Sequence, residues 1–519
     1  MISKKDLILA LSSGLLSVPA FPPLNLYPVG FIALVPLLAS LQGKQLKAAF
    51  YLGMVSGFVY FLGTVYWVSH SMHVYGYVPV LITLFAVVVL CMYLALYAGI
   101  FALLFRYLGQ TSRVPASIVA PLLWVSLEFL RTYALTGLPW SLLGYTQYTF
   151  LTLIQVADIT GIYGISFLLV AVNGMLFDII FYRREQTRKP PGARWAMASS
   201  IVFTATIIIF ALLYGVVKLN VEENRQRIRA SVIQGNIPQD KKWDRGFQHN
   251  VIQRHKELTK EANAGNPDLI VWPESALPFI FGNDKVLTGD IVDFQKQLGS
   301  YLLFGSVIRR GANQENSGLA NSAVLLSPEG DVLSIYDKIH LVPFGEYVPL
   351  RKLLPFVEKM VVAVGDFVPG KEYVVMNTPF ANIGNLICYE IIFPGLVREF
   401  VDRGANVLVT ITNDAWFGRT SAPYQHFSMA VFRAVENRVP VIRSANTGIS
   451  GFIDPRGRIV NKSEIFVEAS LTDAVPLGKD KSMYTKVGDV FAWVCIAGSL
   501  LMIVIRVFQG RKARQAAAG

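Results

Sequence analysis

The chain has 519 residues, of which 53% are hydrophobic and 16% are charged, and its mean hydropathy is +0.45. Soluble proteins are about 25% charged, so this composition excludes an ordinary soluble protein and a disordered chain. Only three cysteines are present, which excludes a disulfide-stapled scaffold. The net charge of +12 lies wholly outside residues 219–485, which hold 29 basic and 29 acidic residues. A basic excess confined to the apolar part is typical of membrane loops and argues against a nucleic-acid partner.

Eight apolar stretches are long enough to predict membrane-spanning helices, since a span needs about 20 mostly apolar residues. They lie near residues 6–22, 27–43, 48–69, 78–105, 114–131, 162–182, 195–217 and 487–508. The first stretch also has the pattern of a signal peptide, and we expect it to be retained as a helix.

The distribution of Lys and Arg predicts the orientation of these spans. Alternate connections carry basic residues, beginning with Lys4 and Lys5 and ending with Arg511, whereas residues 68–77 and 132–161 have none. Because basic residues mark cytoplasmic loops, both termini are expected in the cytoplasm and residues 219–485 on the opposite side.

Two membrane-side features have both a structural and a functional interpretation. The outer loop GLPWSLLGYTQY (137–148) holds Trp140, Tyr145 and Tyr148, which would either anchor in the membrane interface or line a substrate site. Glu128 lies inside a predicted span, where a carboxylate is costly, and Arg131 one turn later is the expected ion-pair partner.

Residues 219–485 read as one α/β domain. Continuous apolar runs predict strands near 228–235, 268–275, 301–308, 321–328, 381–390, 406–414 and 439–448, with helices at 242–265, 390–404 and 425–438. The predicted organisation is therefore a seven-helix membrane domain (1–218), this domain (219–485), and an eighth helix with a basic tail (486–519).

Three polar residues stand at or near the ends of apolar runs in this domain: Glu274, Lys338 and Cys388. Reactive groups collect beyond strand ends in α/β sheets, so a base, a cation and a nucleophile would meet there. From the residues alone, a cysteine such as Cys388 is usually a small buried hydrophobe, and residues such as Glu274 and Lys338 are usually solvated surface residues. Cys388 is, however, the only cysteine of residues 219–485, which leaves it without a disulfide partner there.

The flanking motifs WPESA, YDKIHLVPFGEYVP and ICYEIIFP resemble the Glu-Lys-Cys signature of the nitrilase, or carbon–nitrogen hydrolase, superfamily. Together with the apolar frame, GLPWSLLGYTQ and TNDAWFG (412–418), they are similar to the apolipoprotein N-acyltransferase family over essentially the whole chain. The resemblance implies an α-β-β-α sandwich on a helical membrane domain, in a bacterial inner membrane with the sandwich on the periplasmic side.

The same resemblance implies acyl transfer in two steps. Cys388 would take the sn-1 acyl chain of a phospholipid, with phosphatidylethanolamine as the expected donor, as a thioester, and the α-amine of a diacylglyceryl apolipoprotein would then accept it. Glu274 would be the base and Lys338 would stabilise the oxyanion. Glu346, Tyr389, Glu390 and Trp243 would be supporting residues, with Glu346 orienting Lys338 through an ion pair. Ordinary packing or capping is the alternative for these four.

No metal, nucleotide or other cofactor is expected, because the sequence has no HExxH, paired CxxC, Walker or dinucleotide motif. The apolar segments 277–282 and 356–370 would be either lids that dip into lipid or core packing. Two further functions remain open at this point: a membrane-tethered amidase or nitrilase, and a non-enzymatic lipid or lipoprotein receptor on an inactive hydrolase domain.

Overall fold

The computed structural model describes residues 1–109, 114–184, 193–221, 225–311, 318–347 and 367–518. These residues form two compact units. The first comprises Met1–Tyr66, Leu84–Val221 and Val487–Gly519, and the second comprises Trp67–Thr83 and Glu222–Lys486.

The first unit is helical. Its helices of four or more residues are Lys4–Ser17, Val35–Ser40, Leu46–Val65, Val80–Gly109, Ala116–Tyr133, Leu151–Ile154, Ala157–Arg184, Ala193–Asn220 and Val490–Ala518. Among the described residues, six of these helices are long and apolar enough to cross a membrane. The predicted membrane class is therefore confirmed.

The first two of the eight predicted spans are not confirmed. The first forms only the 14-residue helix Lys4–Ser17, and the second breaks into short turns before Val35–Ser40. Pro19 and Pro22 lie in the first stretch and Pro28 and Pro36 in the second, and proline removes a helix donor and clashes with the preceding turn. Hydropathy alone does not register this interruption.

The outer loop 137–148 is an integral part of the first unit. Trp140 and Tyr145 are almost completely buried, so interfacial anchoring is wrong for these two residues, while Tyr148 is half-buried. Glu128 Oε1 accepts hydrogen bonds from Trp124 Nε1 (2.9 Å) and from the Leu143 amide (2.8 Å). The carboxylate thus fixes the loop to the helix that carries it.

The second unit contains two six-stranded sheets. The strands are β1 (Arg227–Gln234), β2 (Leu269–Val271), β3 (Tyr301–Arg310), β4 (Gly318–Leu326), β5 (Val332–Asp337), β6 (Val375–Asn377), β7 (Asn382–Ile387), β8 (Val407–Thr412), β9 (Val441–Ala445), β10 (Gly451–Ile453), β11 (Ile459–Lys462) and β12 (Ala469–Pro476). Their order is β12-β1-β2-β3-β4-β5 in one sheet and β11-β10-β9-β8-β7-β6 in the other.

Each sheet has a parallel centre, β1-β2-β3 in the first and β7-β8-β9 in the second, flanked by antiparallel strands. The two inner faces are joined by Ser444 Oγ, which donates to the carbonyls of Ile233 (3.0 Å) and Val271 (3.1 Å). The helices of the outer layers are Gln248–Asn263 and Lys285–Gln295 on the first sheet, and Pro394–Asp402 and Ala422–Asn437 on the second. This arrangement confirms the predicted α-β-β-α sandwich. The carboxyl ends of the parallel strands in each sheet lie at the same edge of that sheet.

The apolar segment 277–282 belongs to the core. Leu277, Phe279 and Phe281 are buried among the side chains of the first sheet and its helices. Core packing is thus the correct interpretation for this segment, and a lid is wrong. In the second segment, 356–370, residues 356–366 lie outside the described residues.

Candidate active site

Cys388 stands at the junction between β7 and a short helical turn, Cys388–Ile392. Its φ of +53° lies in the left-handed region, which costs a non-glycine residue about 1–3 kcal/mol and persists only where the surroundings enforce it. The thiol is buried, and burial together with the Glu274 carboxylate raises its pKa, while Lys338 acts in the opposite direction. The resting group is therefore a thiol, which needs a base before it can act as a nucleophile.

Glu274 follows β2, and both of its carboxylate oxygens accept hydrogen bonds. Oε1 accepts from Asn321 Nδ2 (2.7 Å) and Oε2 from the backbone amide of Asn413 (2.9 Å). Gly305 on β3 lets this segment approach closely, because a Cβ there would lie 2.6 Å from the Glu274 Cα. The carboxylate is thus fixed by neighbours from both sheets.

Lys338 follows β5, and its side chain is almost completely buried. Its Nζ lies 2.9 Å from Glu346 and 3.6 Å from Glu274 Oε1. Burial lowers the pKa of Lys338, but the carboxylates of Glu346 and Glu274 outweigh it and hold the pKa above its ordinary value. The ammonium therefore stays charged, and the ion pair implied for Glu346 is present.

Asn321, on β4, bridges the two carboxylates of the site. Its Nδ2 donates to Glu274 Oε1 (2.7 Å) and to Glu346 Oε1 (2.8 Å), while Glu346 Oε2 accepts from the Val342 amide (2.8 Å). An amide donor between two carboxylates reduces their mutual repulsion. Sequence reasoning missed Asn321, because its place opposite the two carboxylates depends on register between distant strands.

Glu390 is fully buried and makes backbone contacts on both sides of the site. Its oxygens accept hydrogen bonds from Tyr336 Oη (2.7 Å) and from the amides of Ile339 (2.8 Å), His340 (3.2 Å) and Ile387 (2.7 Å). Burial raises the pKa of Glu390 to about 7, although these hydrogen bonds and Lys338 favour its ionised form. The contacts fasten the residues beside Lys338 to the residue before Cys388.

The other two predicted supporting residues are Tyr389, which packs against aromatic rings, and Trp243, which is partly exposed. The Tyr389 ring packs beside Phe393 (5.2 Å between centroids) and His340 (5.7 Å), and burial raises the pKa of its phenol. Trp243 is 46% exposed. Its neighbour Lys242, which sequence reasoning missed, is buried instead and donates to the Glu274 carbonyl (2.9 Å).

Lys242 is a second ammonium near the candidate nucleophile. Burial lowers its pKa to about 8, and the Glu274 and Cys388 side chains act in the opposite direction. The adjacent KKW sequence contained no signal to distinguish the buried Lys242 from the exposed Lys241. The structure therefore brings together Glu274, Lys338, Cys388, Glu346 and Lys242.

Among the described residues, no group of three or more His, Cys, Asp or Glu side chains is arranged to hold a metal ion. The site consists instead of a thiol, two carboxylates and two ammonium groups in a buried setting. This set can deprotonate a thiol and stabilise a negative oxygen, which are the requirements of covalent acyl chemistry.

Residues 229–479 match the carbon–nitrogen hydrolase family. An amidase from Nesterenkonia sp. AN1 aligns at 19% identity and a TM-score of 0.38, covering 52% of this chain and 97% of that chain. A nitrilase-superfamily member from Saccharomyces cerevisiae aligns at 18% identity and a TM-score of 0.39, covering 50% and 93%.

The sandwich and its buried site define a carbon–nitrogen hydrolase domain on a membrane protein. Residues 13–175 match the N-terminal domain of apolipoprotein N-acyltransferase. The chain is 44% identical to the apolipoprotein N-acyltransferase of Geobacter metallireducens over 97% of this chain and 96% of the relative, and 31% identical to that of Pasteurella multocida over 96% and 94%. The chain belongs to the apolipoprotein N-acyltransferase family, and it is an acyltransferase of lipoprotein maturation.

Proposed function

We propose that this protein transfers the sn-1 acyl chain of a phospholipid, phosphatidylethanolamine in the first instance, to the α-amine of the diacylglyceryl-cysteine of apolipoproteins. The observation that carries the proposal is the buried contact of Lys338 with Glu274 and Glu346, in electrostatic reach of Cys388. The six apolar helices support lipid substrates, because both substrates reside in the membrane.

In the first step, the Glu274 carboxylate takes the proton of the Cys388 thiol. The thiolate attacks the ester carbonyl, and Lys338 stabilises the oxyanion of the tetrahedral intermediate, a role worth about 3–4 kcal/mol. Collapse breaks the ester C–O bond, and Glu274 returns its proton to the departing lysophospholipid alkoxide. The acyl chain remains on Cys388 as a thioester.

In the second step, the lipoprotein amine attacks the thioester carbonyl. Glu274 accepts a proton from the amine nitrogen, the C–S bond breaks, and the Cys388 thiolate leaves and is reprotonated. The product is an amide, and the thioester retains enough reactivity for the step to proceed without a nucleotide. Glu346 and Asn321 support the step by holding Lys338 and Glu274 in place.

The proposed setting is the bacterial inner membrane, with residues 219–485 on the periplasmic side as the catalytic domain. Residues 1–218 and 486–519 would be the membrane domain, the eighth helix and the tail, with both termini cytoplasmic. The alternation of basic and neutral connections supports this orientation.

The decisive experiment mixes full-length protein in detergent with phosphatidylethanolamine and no acceptor, then records the intact mass and a peptide map. We expect a hydroxylamine-labile acyl adduct on Cys388 and its absence in Cys388→Ala. Free fatty acid without an adduct would indicate an amidase-like hydrolase instead. Neither product, with lipid or lipoprotein binding intact in Cys388→Ala, would indicate a receptor.

A further inference from the structure

The backbone carbonyl of Cys388 is held by a buried histidine that the two-step scheme does not use. His426, on helix Ala422–Asn437, places its Nε2 3.2 Å from the Cys388 oxygen. A carbonyl oxygen can only accept, so Nε2 must carry a proton in whichever state the ring adopts. The hydrogen bond therefore constrains the main chain of Cys388 directly.

The other ring nitrogen of His426 lies between Arg443 and Asp414. Arg443 Nη2 lies 3.0 Å from Nδ1, and Asp414 Oδ1 lies 3.1 Å from it. Burial and the Arg443 guanidinium lower the pKa of His426, which favours the neutral ring. With the proton on Nε2, the neutral ring accepts from Arg443 at Nδ1 and donates to the Cys388 oxygen at Nε2, whereas the other tautomer would leave Nε2 facing a carbonyl that cannot donate.

Asp414 and Arg443 are themselves fixed. Arg443 Nη2 donates to Asp414 Oδ2 (2.8 Å), and Thr412 Oγ1 donates to Asp414 Oδ1 (2.9 Å). Burial raises the pKa of Asp414, but the interactions led by the Arg443 guanidinium outweigh it and bring the pKa to about 2, so the carboxylate is ionised. Gly448 lies so close that a Cβ would overlap Asp414 Oδ2. The cluster has little room to rearrange.

The left-handed main-chain conformation of Cys388, whose carbonyl contacts His426, is unfavourable by itself. Cys388 has a φ of +53°, and relaxation to a negative φ would change the direction of its side chain. Its Sγ would then leave the place where Glu274 and Lys338 act on it. A hydrogen bond to the Cys388 carbonyl opposes this relaxation.

We propose that Asp414, His426 and Arg443 form a positioning cluster, in which the Nε2–H of His426 holds Cys388 in its left-handed conformation and so sets the reactivity of the thiol. This inference deepens the proposed function and rests on it, because it assigns the cluster to the same nucleophile. The three residues act through Cys388 and do not contact the substrate.

The test compares His426→Gln, His426→Asn and His426→Met in the full-length protein in detergent. The Gln amide nitrogen reaches the place of Nε2, whereas the Asn amide nitrogen reaches that of Nδ1 and Met has no donor. The rate of Cys388 alkylation by iodoacetamide, followed by peptide mapping, reports the thiol without any lipid substrate. Thioester formation from phosphatidylethanolamine is measured in parallel, and the melting temperature of each variant reports its fold.

We expect Asn and Met to slow both reactions about tenfold to a hundredfold, since a displacement of about 1 Å can cost that much, and Gln to restore most of the rate. His255→Met is the matched control, because His255 is equally buried but hydrogen-bonds to Val251 in its own helix. It is expected to lower the melting temperature without changing Cys388 reactivity.

Unchanged alkylation in folded His426→Met, or equal losses in Gln and Asn, would overturn the positioning role. If Met fails to fold, the comparison of Gln with Asn decides. A wild-type Cys388 that reacts with iodoacetamide but forms no thioester would contradict the proposed function and leave the positioning role standing on the alkylation rates.

Discussion

Lys338 Nζ lies 3.6 Å from Glu274 Oε1, farther than the 2.9 Å that separates it from Glu346. Glu346 is the closer ion-pair partner of the Lys338 ammonium. Glu274 therefore interacts with the ammonium electrostatically but does not form a close hydrogen bond with it. This geometry suits the proposed division of roles, in which Glu274 is the base and Lys338 stabilises the oxyanion.

Replacing Lys338 tests the oxyanion role. Lys338→Met keeps the length of the side chain and removes its charge, so we expect thioester formation to slow about 10²–10³-fold. The control is Lys256→Met, which removes another largely buried lysine whose Nζ pairs with Asp290 at 2.6 Å. Mass spectrometry of the acyl adduct in samples quenched at successive times measures the rate in both variants. Equal rates in the two variants would exclude a specific role for Lys338.

Gly305→Ala tests how closely Glu274 must be placed. The new Cβ would lie 2.6 Å from Glu274 Cα and from the Ser275 amide nitrogen, both backbone atoms, so the Glu274 segment must shift. We expect thioester formation to fall about a hundredfold. Gly289→Ala is the control, because nothing lies within 4 Å of a Cβ there and an alanine favours its helix by up to about 1 kcal/mol. Full activity in Gly305→Ala would mean that the Glu274 position is not critical.

The raised pKa of Glu390 predicts that the free energy of unfolding depends on pH. Its pKa is about 7 in the folded protein against an ordinary 4.5, so between these values the folded state holds a proton that the unfolded state has lost. Stability from this group is therefore greatest below about pH 4.5 and falls as pH rises to about 7, by on the order of 2–3 kcal/mol. Melting temperatures between pH 5 and 8 measure it.

Glu390→Gln is expected to flatten that slope, because the amide does not titrate. The Gln side chain also turns an amide N–H toward one of the four groups that donate hydrogen bonds to Glu390. The melting temperature of Glu390→Gln at pH 5 should therefore be lower than that of the original protein. The exposed Glu261→Gln is the control and should retain the slope of the original protein. A slope that survives in Glu390→Gln would assign it to another group.

Lys242→Met separates charge from folding. Because burial lowers the pKa of Lys242 to about 8, the charged form is disfavoured in the folded state, so loss of the charge itself should not reduce stability at pH 7, and any fall in melting temperature reports the lost hydrogen bond to the Glu274 carbonyl. The missing positive charge near Cys388 should slow thioester formation about tenfold, since nearby cations favour the thiolate. The exposed neighbour Lys241→Met should leave the rate unchanged. A large loss of melting temperature without a change in rate would make Lys242 purely structural.

The sequence predicted the parts of this site that interrupt apolar runs. Glu274, Lys338 and Cys388 each come after a strand, and the structure brings them together as that pattern indicates. Asn321, Lys242 and His426 were missed for a common reason. Each lies within its own segment like any polar residue, and only the packing of distant strands and helices aims it at the site.

The helical unit shows where hydropathy predicts helices correctly and where it fails. Long uninterrupted stretches such as Val80–Gly109 were predicted correctly, because length and hydropathy suffice there. The two proline-broken stretches at the start were not, because composition does not report where the backbone loses its hydrogen bonds. Trp140 and Tyr145 likewise had the composition of interfacial anchors, yet they pack inside the unit.

The residues of the candidate site are divided between the two sheets. Glu274, Asn321 and Lys338 are carried by strands of the first, whereas Cys388 and Asn413 are carried by strands of the second. A chain that has formed either sheet alone therefore has the proposed base without the proposed nucleophile, or the nucleophile without the base. Under the proposed mechanism, Cys388 can be acylated only after the two sheets have packed together, so activity depends on completion of the whole sandwich.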